Sequence, residues 1–545
     1  MNPGNTKRHY SKHQIHRVWR FFRFWVYRFN NQPLRAALSL VLSDESFGRI
    51  GKFLKKPGGT GAAGPRTLRA KEVAPAKAVG TDGLVTFVTL SPEAGPADLA
   101  LLESALNDSA TPWTFVATSG VDREIISLAA GIALGMSDDY DLLYTDEHYF
   151  AEEFPRARPA ALGPHTLLSG NVVGRHYLLR NSTARAVGGL RNEFASASEF
   201  DLFLRMRDEG ARFARYPFVL TSTAPEFVAK DLVAATSAAL ARRTPSSLKS
   251  EGSAPGIVNW QIYSLESAHV EILIPTRDRL ELLQRCIEQI EKVTTYAHYS
   301  ITILNNDSVE PETLQYLQTT SHKVVDCPGE FNYARIINQG AAQSSAEFLV
   351  MLNNDTIVKT SNWLELLLGV ALLDDVGVVG AKIIDQNGDV EHSGIAIAPY
   401  PQHIRHGVNI PASWSDFAGI RNVAAVTGAL HMISRVKWIE LGGMDEELEV
   451  LLNDVDLCLR AELKGWHTVL QPAVVIQHFV SSSRGRLNPK SDRERFIAHW
   501  DLFRDYQDPY FPETCSLYGN QLTYNYPTAQ LLRWSAVIKS FFALG

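Results

Sequence analysis

The stretch EFLVMLNNDTI, residues 347–357, decides the fold, because an unbroken apolar run ends abruptly in polar residues. Phe348–Leu352 has the length and composition of a strand that is buried on both faces of a parallel sheet. The tetrapeptide LNND occurs once more, at Leu304–Asp307, after a similar apolar run. Since Asn and Asp favour turns, the simplest interpretation of both copies is a strand followed by a turn.

Apolar strands and amphipathic helices alternate around these two copies. VEILIP (270–275) is followed by the helical pattern RLELLQRCIEQIEKV (279–293), and the helical FNYARIINQGAAQSS (331–345) separates the two LNND strands. This order predicts an α/β fold with a mostly parallel sheet and helices on both faces. Ligands of such sheets bind at the carboxyl ends of the strands, so PTRD (275–278) and both LNND copies are expected at one crevice.

The composition is that of an ordinary globular protein. The 545 residues predict two to four domains, and a net charge of -6 gives no support to nucleic-acid binding. The four cysteines form no Cys-x-x-Cys pair, which favours reduced thiols in a cytoplasmic protein. No apolar run approaches the length of about 18 residues that a spanning helix needs.

The N-terminal region, residues 1–52, is basic and aromatic. Wound as a helix, residues 15–29 place apolar and aromatic side chains largely on one side and arginines largely on the other. This pattern predicts a helix on an anionic membrane surface, at the inner face of the cell membrane; the alternative is a helix packed on the protein itself. Residues 53–80 are rich in Gly, Ala, Pro and Lys and predict a flexible linker. The amphipathic tail, residues 516–545, is expected to help docking or to cover the core.

Residues 170–205 can be aligned with residues 423–460. EFDLFLR recurs as DVDLCLR, and three glycines recur 254 positions later. These glycines are Gly174, Gly188 and Gly189, matched by Gly428, Gly442 and Gly443. The repeat predicts two tandem copies of one domain: a degenerate copy at 81–245, a linker at 246–268 and a catalytic copy at 269–515.

The residue patterns restrict the modes of nucleotide binding that the sequence supports. The chain has neither Gly-x-Gly-x-x-Gly nor the phosphate-binding Gly-x-x-x-x-Gly-Lys-Ser/Thr motif, so neither mode of nucleotide binding is supported. A carboxylate at a strand end can instead hold a divalent cation that neutralises a diphosphate.

The ordered motifs ILIPTRDR, TILNNDS, FLVMLNND, HSGI, AVTGAL, LGGMDEEL and NDVDLCLR resemble the family 2 glycosyltransferases of bacterial polysaccharide assembly, which have the GT-A fold. The resemblance is greatest to enzymes of O-antigen and rhamnan synthesis, and it covers about residues 270–480 with a matching tail to about 515. It implies an inverting transfer of a sugar, with rhamnose suggested, from a nucleotide-diphosphate donor to a glycan or lipid-linked acceptor. It also implies Mg²⁺ or Mn²⁺.

The resemblance assigns different roles to the two LNND copies. Asp307 would contact the nucleoside, together with Pro275, Thr276 and Arg279. The second copy occupies the family's Asp-x-Asp position. Asp355 would be the main metal ligand, Asn353 a weak or water-mediated one, and Asn354 lies between them. Gly428 would leave room for the donor sugar.

The motif NDVDLCLR is expected to carry the catalytic base. Asp456 lies four residues before Arg460, so the two can pair along a helix, which makes Asp456 the structural acid. Asp454 matches the family's base position; the alternative is that it only caps the helix.

Further groups are implied at the edge of the site. His478 would complete the metal shell, and His406 would border the acceptor. Arg484, with Arg486, would clamp the diphosphate. A packing or surface role is the alternative for either histidine, and a solvated basic loop for the arginines.

The first copy lacks a strand that ends in Asp-x-Asp, although Ser198-Glu199 occupies the place of Asn453-Asp454. We therefore expect it to be catalytically silent. Two rival functions remain for the whole chain. One is a sugar-nucleotide nucleotidyltransferase, which would need a glycine-rich loop that PTRDRLELL lacks. The other is a silent glycan-binding scaffold, which the asparagine at position 353 keeps open.

Overall fold

A computed structural model describes the chain between residues 80 and 524. Within this span, it leaves out positions 82, 93, 109, 136, 150–155, 160, 223–227, 244–247, 255, 263–267, 399, 406, 409, 411–416, 480–489, 501–507, 513–514 and 519–520. In the described part of the chain, no helix combines the length and apolarity needed to cross a bilayer. The predicted membrane-surface helix, the linker up to residue 79 and the tail from residue 525 lie outside the described residues.

Region 1, residues 80–262, is built on a six-stranded sheet with the order β1-β2-β3-β5-β4-β6. Its strands are β1 (Gly80–Thr81), β2 (Val85–Leu90), β3 (Trp113–Thr118), β4 (Leu142–Tyr149), β5 (Tyr177–Arg180), β6 (Phe213–Ser222), β7 (Leu248–Ala254) and β8 (Ile257–Ile262). Its helices are α1 (Pro96–Asn107), α2 (Arg123–Leu134), α3 (Pro164–Leu168), α4 (Asn181–Ala186), α5 (Ser198–Asp208) and α6 (Ala229–Arg243), with 3₁₀ turns at Ser137–Asp139 and Asn192–Ala197.

Region 2, residues 268–524, is built on a ten-stranded sheet whose main path is β11-β10-β9-β12-β19-β14-β20-β13. Its strands are β9 (Val270–Thr276), β10 (Tyr299–Asn305), β11 (Lys323–Asp326), β12 (Phe348–Leu352), β13 (Thr356–Val358), β14 (Val376–Ile384), β15 (Val390–His392), β16 (Ile395–Ile397), β17 (Pro401–His403), β18 (Arg421–Asn422), β19 (Leu430–Ser434), β20 (His467–His478), β21 (Cys515–Tyr518) and β22 (Gln521–Tyr524). Its helices are α7 (Leu280–Val293), α8 (Pro311–Thr319), α9 (Tyr333–Ala342), α10 (Trp363–Ala371), α11 (Arg435–Leu441), α12 (Asn453–Leu463) and α13 (Lys490–Trp500).

The region 2 sheet forms where the apolar runs predict strands. All five residues of β12 are buried, because the strand lies between β9 and β19 and is covered on both faces. In α7, the buried residues Leu283, Cys286, Ile287 and Ile290 recur at helical spacing and form one apolar face. Strands β9 to β12 are parallel, whereas β19 is antiparallel to both β12 and β14. The predicted α/β class is confirmed, but the sheet is mixed and not mostly parallel, since four of its pairings are parallel and five are antiparallel.

The two sheets share a pattern of five strands. In region 1 the order is β2-β3-β5-β4-β6, and in region 2 it is β9-β12-β19-β14-β20. In each, the first two strands are parallel, the third is antiparallel to both of its neighbours, and the last two are parallel. Region 2 adds β10 and β11 at one edge, where the predicted nucleoside contacts lie.

The segment between the regions is more regular than its composition predicts. Residues 246–268 are predicted to be a linker, yet β7 and β8 form an antiparallel hairpin there. Trp260 of β8 is 1% exposed, and its indole nitrogen donates to the Ser169 hydroxyl at 3.1 Å. Burial of this large side chain in tertiary contacts accounts for structure that local composition does not favour. A second hairpin, β21–β22, similarly occupies the start of the predicted tail.

A buried polar contact joins the two regions. Asn422 Oδ1 of region 2 accepts from the backbone N–H groups of His165 and Thr166 at the start of α3, at 3.0 and 3.2 Å. Asn422 N–H in turn donates to Thr166 Oγ1 at 2.9 Å. Two residues earlier, the Ile420 carbonyl accepts from Ser169 Oγ at 2.7 Å. These bonds fasten the chain of region 2 just before it reaches the cavity described below.

Candidate active site

A cavity of about 750 Å³ opens at the carboxyl ends of the region 2 strands. Its wall includes residues from the end of β12, the end of β20, the start of α12 and the β16–β17 hairpin. The predicted site residues that line it are Asp355, Gly428, Asp454 and His478. Residues separated by more than 120 positions in sequence are therefore assembled at one place.

Asp355 and His478 are brought together by strand pairing. Thr356 of β13 is paired with His478 of β20, so the residue before Thr356 lies beside the histidine. Asp355 Oδ1 is 3.2 Å from His478 Nε2, and the aspartate is 2% exposed. A carboxylate and an imidazole that line one cavity are a suitable pair of donors for a divalent transition-metal cation.

Glu391 lies on the other side of the same imidazole ring. Its Oε2 is 3.4 Å from His478 Nδ1. Burial by itself would lower the pKa of His478, but the two carboxylates outweigh burial and raise this pKa to about 9. The two carboxylates thus favour the protonated form of the His478 ring.

The two asparagines of the second LNND copy do not line the cavity. Asn354 Nδ2 donates to Thr276 Oγ1 at 3.1 Å, which links the end of β12 to the end of β9. Asn353 is 7% exposed; its backbone N–H donates to the Ala429 carbonyl, and its own carbonyl accepts from Thr356 Oγ1. The geometry supports Asp355 more directly than Asn353 as a metal ligand, and the ligand role of Asn353 stays a prediction.

The predicted nucleoside contacts occupy adjacent strand ends. Thr276 and Asn305 are paired in the parallel ladder of β9 and β10, which brings Pro275 and Thr276 beside the first LNND copy. Asp307 is exposed and has a positive φ of 53°, and its Oδ2 accepts from the Gly329 N–H at 2.7 Å. Arg279 is exposed at the start of α7. The structure thus places these four side chains at one edge of the sheet, while their role in binding stays a prediction.

Asp454 lies at the start of α12 and is held by two backbone groups. Oδ2 accepts from the Gly428 N–H and Oδ1 from the Val455 N–H, both at 2.8 Å. Each oxygen keeps a second lone pair. The Gly428 carbonyl accepts from the Tyr333 hydroxyl at 2.9 Å, so Gly428 helps to fix the carboxylate as well as lining the cavity.

Asp456 points into the protein instead of the cavity. It is 2% exposed, and its Oδ2 accepts from Arg460 Nε at 2.8 Å. Its Oδ1 accepts from the indole nitrogen of Trp500 at 3.0 Å. Arg460 also donates to the carbonyls of Leu441 and Gly443. The pair predicted from the four-residue spacing is present and ties α12 to α11 and α13.

Three predicted residues fall outside the described positions: His406, Arg484 and Arg486. Conversely, sequence reasoning missed Glu391 and Tyr333, although both line the cavity. Glu391 stands immediately before the quoted HSGI motif, and Tyr333 lies within the quoted FNYARI motif. Their closeness to these motifs could have indicated both residues. Their hydrogen-bond partners, however, are 87 and 95 residues away in sequence, so the contacts could not be inferred.

Residues 271–425 match the sequence pattern of the family described as Glycosyl transferase family 2. This stretch is a family 2 glycosyltransferase domain. It contains Asp307, Asp355 and Glu391, whereas Asp454 and His478 lie beyond its end. The predicted family is confirmed, and with it the GT-A type of α/β fold; a tandem origin of region 1 stays a prediction.

Known proteins extend the similarity beyond the glycosyltransferase domain. The chain is 28% identical over 409 residues to the O-antigen biosynthesis protein RfbC of Myxococcus xanthus, covering 70% of this chain and 31% of that protein. It is 28% identical over 424 residues to the uncharacterized protein y4gI of Sinorhizobium fredii, covering 71% and 46%. The chain therefore spans less than half of either relative. A solved structure of GalNAc-T7 with UDP, GalNAc and Mn²⁺ aligns with a TM-score of 0.36 and 15% identity, over 44% of this chain and 50% of that one.

Proposed function

We propose that this protein is an inverting glycosyltransferase of cell-surface polysaccharide synthesis. It transfers a sugar from a nucleotide-diphosphate donor to a glycan or a lipid-linked acceptor, and activated rhamnose is the first donor to test. The observation that carries the proposal is that Asp454 and the Asp355–His478 pair line one cavity next to a family 2 glycosyltransferase domain. Similarity to an O-antigen biosynthesis protein supports the polysaccharide context.

In this proposal, Asp454 is the general base. Its carboxylate accepts the proton of an acceptor hydroxyl while that oxygen forms a bond to the anomeric carbon. The bond between the anomeric carbon and the diphosphate oxygen breaks on the opposite side, and the nucleoside diphosphate leaves with the electron pair. The N–H groups of Gly428 and Val455 keep the carboxylate in position through both oxygens.

The proposed cation site consists of Asp355 and His478. Within the described ranges, no group of three or more His, Cys, Asp or Glu side chains is placed to hold one metal ion. Two protein ligands are compatible with Mg²⁺ or Mn²⁺ that is also bound by substrate phosphates and water. When bound, the cation supplies positive charge that stabilises the departing diphosphate.

The test is a panel of radiolabelled nucleotide sugars, incubated with the full chain, candidate glycan acceptors and Mn²⁺ or Mg²⁺. We expect one donor to release its nucleoside diphosphate and label an acceptor, and to raise the melting temperature in the presence of metal. If no donor is transferred or hydrolysed, the glycan-binding scaffold is the better description.

The proposal places the enzyme in the cytoplasm at the inner face of the cell membrane, with the arginines of residues 15–29 at anionic lipids. Flotation of the full chain with vesicles containing anionic lipid, and loss of flotation when these arginines are replaced by glutamine, is the expected result. Equal flotation of the variant would contradict it.

A further inference from the structure

Strand β15 contains an irregularity at Glu391. Ile383 and Ile384 of β14 are consecutive, yet their partners are His392 and Val390, so Glu391 is an extra residue in the ladder. Such bulges redirect side chains and are frequent next to active sites. Neighbours on a regular strand point to opposite faces, but Glu391 and His392 both line the cavity. The bulge accounts for how Glu391 reaches it.

Glu391 and Asp355 contact opposite sides of the His478 ring. The Glu391 carboxylate faces Nδ1 at 3.4 Å, and the Asp355 carboxylate faces Nε2 at 3.2 Å. The side chains of Glu391, His478 and Asp355 are partly or fully buried, with side-chain exposures of 19%, 12% and 3%. Glu391 therefore has the ring between itself and Asp355, which places it behind a ligand and not at a shared cation position.

We propose that Glu391 is a positioning residue that holds the His478 imidazole so that Nε2 faces the cation site at Asp355. The inference rests on the cation site of the proposed function and adds to it a residue that the family resemblance did not assign. A histidine that binds a metal through Nε2 carries its proton on Nδ1, and a carboxylate that accepts a hydrogen bond from this N–H fixes both the tautomer and the ring orientation.

The contact between Glu391 and His478 also explains how a carboxylate can be partly buried at position 391. Glu391 is partly buried on the far side of the His478 ring from Asp355, and a carboxylate is costly to bury without a hydrogen-bond donor. His478 Nδ1–H is that donor. The hydrogen bond thus satisfies the Glu391 carboxylate and also restricts the orientation of the His478 ring.

The test measures Mn²⁺ binding to the full chain by electron paramagnetic resonance of free Mn²⁺, without any sugar donor. We expect Glu391→Ala to weaken Mn²⁺ binding about 10–100-fold, the usual effect of removing such a partner. Glu391→Gln keeps an acceptor oxygen for Nδ1–H, so its affinity should stay within a few-fold of the wild type. Asp389→Asn is the matched charge control, because Asp389 is exposed two residues away; its affinity should not change.

A double-mutant cycle tests whether Glu391 acts through the ring. In a His478→Ala background, Glu391→Ala should cause no further loss of Mn²⁺ affinity. The proposal is overturned if the alanine variant binds like the wild type, if glutamine is as harmful as alanine, or if the loss persists without His478. If the wild type itself binds no Mn²⁺, the cation site of the proposed function fails as well. Melting curves of the metal-free variants check that each one is folded.

Discussion

Region 1 and region 2 share a strand arrangement and a buried ion pair but differ in the residues at the corresponding site. Besides the shared order of five strands, both contain a buried ion pair at helical spacing, Asp201–Arg205 in α5 and Asp456–Arg460 in α12. Each arginine then donates to two carbonyls of the preceding glycine turn. These carbonyls are Val187 and Gly189 in region 1, and Leu441 and Gly443 in region 2. The corresponding carbonyls are 254 positions apart, as the glycines are, which supports two copies of one domain.

The two regions differ at Asp454, the proposed base, and at Glu199, which occupies the aligned position in region 1. Asp454 lines the open cavity, whereas Glu199 is 1% exposed. Burial raises the pKa of the Glu199 carboxyl, although Arg175 and Tyr177 oppose this effect. The Tyr177 hydroxyl donates to Glu199 at 2.6 Å, and the Arg175 guanidinium is 3.2 Å from it.

Arg175 contacts Glu199 in region 1. It follows Gly174, while the residue that follows Gly428 is the cavity-lining Ala429. An arginine side chain thus reaches the carboxylate of region 1, where region 2 has a methyl group and open space. Both regions have the ion pair and the glycine turn, but region 1 has buried charged groups where region 2 has the cavity.

The largest expected effect concerns the two carboxylates. Asp454→Asn should lower kcat about 10²–10⁴-fold, because it removes the acceptor of the hydroxyl proton. Glu199→Gln should leave kcat within about two-fold, as expected for a residue outside the catalytic machinery. Initial rates with the donor found in the panel, at saturating acceptor, measure both. Equal losses of kcat in the two variants would contradict the prediction that region 2 is active and region 1 is silent.

A symmetrical effect is expected at the two buried ion pairs. Asp201→Ala and Asp456→Ala each leave a largely buried arginine without its carboxylate, which should cost about 3–5 kcal/mol of unfolding free energy. Urea unfolding followed by fluorescence measures the loss. The exposed pair Lys490–Glu494 has the same spacing, so Glu494→Ala is the control and should be almost neutral. A loss in only one region would show that the two ion pairs are not equivalent.

The smallest expected effect distinguishes the two equivalent glycines. Gly174 has a φ of +75°, and a methyl group there would overlap the Glu147 carboxylate, so Gly174→Ala should cost about 2 kcal/mol or more. A methyl group on Gly428 would meet Asp454 at 3.6 Å, which is ordinary contact, so Gly428→Ala should cost below about 1 kcal/mol. Urea midpoints of the two variants make the comparison, and a larger loss for Gly428→Ala would contradict it.

The fold of region 2 was predictable because its signals are local. The apolar run of β12 and the helical spacing in α7 appear within short windows of sequence. The hairpin β7–β8 was not predictable, because it depends on the burial of Trp260 against residues far away in the chain. Because these contacts are distant in sequence, the composition of residues 246–268, which includes Gly, Ser and Lys, predicted a linker instead.

The site was predictable only where a residue belongs to a recognisable motif. Asp355, Asp454 and His478 were identified in this way, and the structure brings all three to one cavity. Glu391 was missed because its role depends on a shifted ladder between β14 and β15, and sequence periodicity contains no sign of that shift. Gly428 was expected to provide space, yet its N–H group is as important, since it donates to Asp454.

The hydrogen bonds between Asn422 and α3 connect region 1, which we expect to be catalytically silent, with the cavity of region 2. The segment that Asn422 anchors continues within six residues to Thr427 and Gly428, which form part of the cavity wall. A truncated protein that contained only region 2 would lack the hydrogen bonds with the Thr166 and Ser169 side chains that hold this segment. We therefore expect region 1 to stabilise this part of the cavity wall without carrying out transfer itself.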